Sequence, residues 1–218
     1  MPEILHCDNH VLALVKPAGM PVVPDASEDH SLLEWGKDWI AKEFNKPGRV
    51  FLGVVHRLDR PVSGIVVFGR TSKGAGRLSE SWRSGKVQKI YRGVSDASST
   101  LVESDEGEIA QWLLKDRERN VVRVVSPNSH PQAKEARSRW KVLSVRGGKT
   151  LLELEPLTGR SHQLRLACAE LRLPLMGDLK YGAKTAMAGR RIALHARELH
   201  VLHPTRLDDL HLISPEPF

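Results

Sequence analysis

The chain has 218 residues, 40% hydrophobic and 27% charged, enough to fold around its own core and too apolar for a disordered chain. No apolar run approaches the roughly 18 residues of a membrane span, and no charged-then-apolar leader opens it, so a cytoplasmic location with no membrane partner is expected. Thirty-three Lys and Arg against 26 Asp and Glu leave a net charge of +7. That charge suits a phosphate-rich partner held through counterion release, and equally a basic protein with none.

The apolar run 11–15 predicts a buried strand, ended by the turn Lys16-Pro17-Ala18-Gly19. Residues 31–44 predict a helix: Ser31 and Glu34 have capping-box spacing, Leu32, Leu33, Trp39, Ile40 and Phe44 supply an apolar face, and Lys46-Pro47-Gly48 stops it. Residues 65–68 predict a short strand. A helix follows over 72–84, weakened by Gly74 and Gly76 and ended by Gly85. Strands are predicted over 87–94, 109–114, 121–125, 139–145 and 151–154, with Gly147-Gly148 as a hairpin turn between the last two. A helix is predicted over 161–172, and a final strand over 192–202.

Charge is uneven along this order. Residues 70–92 hold seven Lys or Arg and the single acid Glu80; residues 137–149 hold five Lys or Arg and no acid. Both suit a phosphate-binding face or a solvated one. Residues 95–107 are acidic and read as a solvated loop. Cys7 and Cys168 are expected to be reduced and packed. None of the ten histidines stands in a ligand spacing on an obvious hairpin or helix, although His200 and His203 are three apart; no metal is expected.

Two clusters carry candidate chemistry. His56-Arg57-Leu58-Asp59-Arg60-Pro61-Val62-Ser63-Gly64 follows the apolar stretch 50–55 and precedes the strand 65–68, which makes it a loop between rigid elements. A carboxylate between two arginines stays ionised. It serves as a nucleophile or base, or as a structural turn aspartate. Thr158-Gly159-Arg160-Ser161-His162-Gln163-Leu164-Arg165 joins a strand to a helix, and places His162 and Arg165 on one helix face near its positive end. It suits an anion or a paired carboxylate, or is an ordinary capped helix.

Together these clusters resemble the RluA-type pseudouridine synthases, over nearly the whole chain. Val15-Lys16-Pro17-Ala18-Gly19 with Val23-Pro24 is similar to the family's opening motif, and His56-Arg57-Leu58-Asp59 with Ser63-Gly64 to its catalytic motif. Lys89-Ile90-Tyr91 resembles the motif with the active-site tyrosine. Thr158 to Arg165, then Pro174-Leu175-Met176-Gly177-Asp178 and Tyr181-Gly182, resembles the third block, and Leu194-His195-Ala196 with His203-Pro204 the closing one. Val62 stands where the family usually has threonine, and Ala167 where it usually has histidine.

The resemblance implies an α+β fold with a mixed, mostly antiparallel central sheet, flanking helices and a central RNA-binding cleft. It implies one catalytic domain over 1–218 with no N-terminal accessory RNA-binding domain. The implied activity is isomerisation of uridine to pseudouridine in ribosomal or transfer RNA, by a monomer with no cofactor. Asp59 matches the catalytic aspartate, Tyr91 the tyrosine packed on the target base, and Arg165 the arginine paired with the carboxylate. Arg57 matches the residue that takes the flipped nucleotide's place; His56, Arg160, His162 and Gln163 complete the expected RNA-binding set. A base inside a stack must be extruded before it reacts. The competing readings are an RNA-binding protein of this fold without catalysis, and a glycosidase or nucleosidase, which needs a second carboxylate such as Glu155 or Asp178.

Overall fold

A computed structural model of the chain describes residues 1–97, 104–116 and 118–218. They divide into two compact units, Met1–Lys89 with Ala196–Glu216, and Ile90–His195 with Pro217–Phe218. Residues 98–103 of the expected acidic loop lie outside the described residues.

The first unit is built on β2 (Val11–Lys16), whose apolar run is buried on both faces. It pairs antiparallel with β1 (Glu3–Cys7) on one side and β4 (Ser63–Gly69) on the other. The two-residue β3 (Gly53–Val54) adds to β4. The unit also holds most of β10 (Leu194–Leu202), which forms an antiparallel ribbon with β11 (Asp209–Ile213). Helix α1 (Leu32–Glu43) starts as its sequence predicts. Ser31 accepts from the Glu34 N–H, and the Glu34 carboxylate accepts from the Ser31 N–H. It turns Leu32, Gly36 and Ile40 inward, and the bare Gly36 backbone lets it approach Leu12 and Leu14 of β2. Phe44, expected on the apolar face, is instead exposed at the C-terminus, beneath the Arg70 guanidinium. Helix α2 (Ser72–Arg83) drops Leu78 into a core of Val11, Ala13, Ile65, Val67, Leu199 and Val201.

Asp8, in the turn after β1, ties this unit's ends together. Its Oδ1 accepts from the His10 and Val11 N–H groups at 2.8 Å. Its Oδ2 bonds to Arg206 Nη1 at 2.8 Å and His6 Nε2 at 3.1 Å, with the buried His203 ring alongside. Burial opposes the charge on Asp8, but these bonds outweigh it and hold the carboxyl well below the usual range.

The second unit is an antiparallel run of β5 (Gln88–Ser95), β9 (Lys149–Pro156), β8 (Lys134–Arg146), β6 (Glu106–Asp116) and β7 (Val121–Val125), of which Gln88 and Lys89 belong to the first unit. Gly147 and Gly148 turn the β8–β9 hairpin, both with positive φ, the conformation such tight turns require. Helix α3 (Gln163–Glu170) is shorter than predicted. Its Leu166 packs on Leu113, Val122 and Ala136. The sheet is mostly antiparallel, through β1–β2–β4, β3–β4, β10–β11 and β5–β9–β8–β6–β7, and the helices and strands make the α+β architecture the sequence predicts. Missed were β1, β3 and β11, all five residues or shorter. Both cysteines are free thiols, as expected; burial pushes each of them up.

Gly64, opposite Lys16 in the β2–β4 register, has φ +117°. A Cβ there falls against the Ala196 backbone, 2.7 Å from its Cα. Gly64→Ala is expected to destabilise the protein by about 2 kcal/mol or more, from backbone strain and the clash together, read as a lower urea midpoint.

Candidate active site

Asp59 lies, half-buried, in the loop between β3 and β4. The loop is tied down by Lys16, the last residue of β2, whose side chain is fully buried. Its Nζ donates to the carbonyls of Pro17 at 3.0 Å, Met20 at 2.8 Å and Arg60 at 3.1 Å. Gly19 N–H also donates to the Arg60 carbonyl, at 2.8 Å, and Val62 N–H to that of Asp59, at 3.0 Å. Burial lowers Lys16 to about 7; the neighbouring Asp59 charge opposes this and Arg60 adds to it. Lys16 was legible only as part of a turn. The signal that it is more is a lysine directly continuing an apolar strand.

The two arginines around Asp59 behave differently from each other. Arg57 is exposed. Arg60 turns to another loop: it donates to Ser27 Oγ at 2.6 Å and pairs with Asp29 and, at 3.7 Å, Asp25. His56 is a structural group. Its Nε2 accepts the Val67 N–H at 2.9 Å, and its ring stacks on Trp82 with centroids 4.6 Å apart. Burial, with the Lys89 charge adding to it, pushes the imidazole down to about 3, so it is neutral at physiological pH.

In the second unit Tyr91 lies on β5, opposite Leu154, half-buried. Arg165 is buried in α3 and forms a two-point pair with Asp178: Nε to Oδ2 and Nη2 to Oδ1, both 2.7 Å. Its guanidinium also lies 4.9 Å from the centroid of the Tyr181 ring. Tyr181 Oη accepts the Val122 N–H at 3.0 Å and shares a hydrogen bond with His162 Nδ1 at 2.6 Å. His162 does not share the helix face with Arg165. It caps α3 in the left-handed conformation, φ 55°. Gln163 is buried and used at both ends, its amide donating to the Arg137 carbonyl and Ser138 Oγ, its oxygen accepting from Thr158 Oγ1 and the Arg160 N–H. The exposed Arg160 donates to the Glu135 carbonyl at 2.9 Å.

Three groups thus emerge with distinct chemistry: a carboxylate on a loop tied down by a buried lysine, an aromatic ring on a strand, and a guanidinium fixed in its plane. Asp178 and Tyr181, which fix that plane, stood in the sequence only as parts of a motif. Their separation of 13 and 16 residues from Arg165 has no secondary-structure period to reveal it.

Removing the Asp178 carboxylate strands a buried guanidinium. Asp178→Ala is expected to cost about 3–5 kcal/mol, measured by urea denaturation. For His56, the unfolded chain binds a proton below about 6.5 that the folded chain refuses until about 3. Stability therefore falls as the pH is lowered through that window. His56→Gln is expected to flatten the fall, measured as midpoint against pH.

A family model described as RNA pseudouridylate synthase matches residues 10–170. Ribosomal large subunit pseudouridine synthase C of Vibrio cholerae is 30% identical over 98% of this chain and 66% of its own length; the chain thus spans just under two thirds of that relative. An uncharacterized RNA pseudouridine synthase of Zymomonas mobilis is 34% identical over 91% of this chain and 87% of its own. tRNA pseudouridine synthase C of Salmonella typhi is 31% identical over 94% and 81%. Among solved structures, human RNA pseudouridylate synthase domain containing 4 superposes with a TM-score of 0.79, at 23% identity, over 98% of this chain and 88% of that one, which is a likeness of fold. Fold, motifs and relatives agree: this chain belongs to the RNA pseudouridylate synthase family, in its RluA-type branch.

Proposed function

We propose that the chain is an RNA pseudouridine synthase acting on uridines of ribosomal or transfer RNA. The observation that carries this is the family match over residues 10–170, which contains the motif blocks of Asp59, Tyr91 and Arg165 together. In the reaction the C1′–N1 bond of uridine breaks, the ring turns, and a C1′–C5 bond forms. The C5 hydrogen leaves as a proton, and N1 ends protonated. No redox change occurs, and no cofactor is called for.

Asp59 is the catalytic carboxylate in this reading. An anchored loop supports it, because a reacting group must be held within fractions of an ångström of its target. Tyr91 stacks on the uracil, a contact worth about 1–3 kcal/mol for a base on an aromatic ring. The fixed plane of Arg165 suits an anionic partner besides Asp178. Arg57, exposed and long, fills the gap left by the extruded nucleotide. The inward bonding of His56, His162 and Gln163 supports positioning duties for them in place of RNA contact. The protein works in the cytoplasm as a monomer, with its substrate RNA as partner.

Release of tritium from bulk RNA labelled at uracil C5 tests the reading. Wild-type protein is expected to release tritium, and Asp59→Ala to release it at least about a hundredfold more slowly. RNA binding by the wild type with no release from ribosomal or transfer RNA would replace it with a binding-only function.

A further inference from the structure

Among the described residues, one group of His, Cys, Asp and Glu side chains brings three metal-binding atoms together: Glu198, His200 and His211, all within 4.8 Å of one another. All three lie on the β10–β11 ribbon of the first unit. The ribbon's two faces explain how they meet. Leu199, Val201 and Leu212 are buried on one face. Glu198 and His200, two apart on β10, point to the other. His200 is directly opposite His211, and Glu198 is opposite Ile213, which puts Glu198 diagonal to His211. The two imidazoles stack with centroids 3.7 Å apart and planes 20° from parallel. Glu198 Oε2 is 3.5 Å from His211 Nε2.

From this juxtaposition we propose that Glu198, His200 and His211 form a surface site for a divalent transition-metal ion of the Zn²⁺ class. Two imidazoles and one carboxylate are the donor set such ions prefer, with three protein ligands and water completing the coordination. The ribbon fixes both histidines by backbone pairing, and the carboxylate is oriented from behind. Arg197 Nε holds Glu198 Oε1 at 3.2 Å, and Arg197 is itself paired with Glu216. Hydrogen-bonded carboxylates of this kind are usual among metal ligands. Glu198 and His200 are half-buried and His211 is exposed, which gives an ion direct entry. His203, three residues from His200, takes no part; it is buried against Asp8.

Calorimetric titration of the full chain with Zn²⁺ tests the site. One ion is expected per chain. The double variant His200→Asn, His211→Asn is expected to weaken binding by at least about tenfold, and Glu198→Gln to weaken it less. Unchanged affinity in the double variant overturns the proposal, and so does absence of binding by the wild type; either leaves the cluster as a surface contact of two histidines and a glutamate. A second readout needs no variant. Sub-stoichiometric Zn²⁺ is expected to shift the ring resonances of His200 and His211 before those of the other histidines. Shifts that begin at His6 or His130 instead refute the site even if the double variant fails to fold.

Discussion

An ammonium taken out of water needs an acceptor for each of its three protons, and Lys16 finds three backbone carbonyls. Two belong to the turn that follows its own strand, Pro17 and Met20; the third belongs to Arg60, in the loop of Asp59. Donors and acceptors match in number, so neither loop can move away without leaving a buried proton unsatisfied. The backbone bond from Gly19 to Arg60 acts in the same direction. Placement of the loop carboxylate in the first unit thus depends on one lysine. The Asp59 charge also opposes the loss of the Lys16 charge by burial.

The second unit holds its cation by a different chemistry. Arg165 uses the flat fork of its guanidinium, with Asp178 taking two parallel bonds on one edge and the Tyr181 ring close by. A fork held on one edge has its plane set, and its remaining N–H groups point in fixed directions. The ring is set in turn by Val122 and His162. Replacing such a buried pair by apolar side chains often raises stability. The pair is therefore better understood as fixing geometry than as holding the fold together. Lysine fits the first unit because a point charge satisfies carbonyls arriving from several directions; arginine fits the second because a carboxylate meets it edge on.

Local signals were legible wherever a short span decides the structure. The Ser31–Glu34 cap, the buried run of β2 and the Gly147-Gly148 turn are each read from a few neighbouring residues, and each forms. The end of α3 was misread because nothing in Ser161-His162 announces that His162 will take a left-handed conformation; the partner that occupies its ring, Tyr181, is 19 residues away. The candidate site was legible as motifs and illegible as contacts. Asp59, Tyr91 and Arg165 stand out by resemblance. The carbonyls that bind Lys16 have no side-chain identity for a sequence to display.

The charge of the chain is read differently once its pairs are known. The segment 137–149 looked like an unopposed basic patch, yet Arg137, Arg139 and Lys141 face Glu108, Glu155 and Glu106 across the β8 neighbours. Alternate positions of neighbouring strands bring opposite charges together that are far apart in sequence. Likewise Arg60 is engaged by Asp25 and Asp29. Each such pair removes one positive and one negative charge, so the excess of +7 survives every one of them. What moves is its location. A polyanion is drawn to net potential and not to local counts of lysine, so β8 is a weak candidate for a phosphate-binding face. The exposed Lys73 and Lys86, at either end of α2, and the exposed Arg57 beside Asp59 lie in the unit that carries the Asp59 loop. An RNA steered by the charge of this chain therefore has more reason to approach through α2 and the Asp59 loop than through the salt-bridged strands.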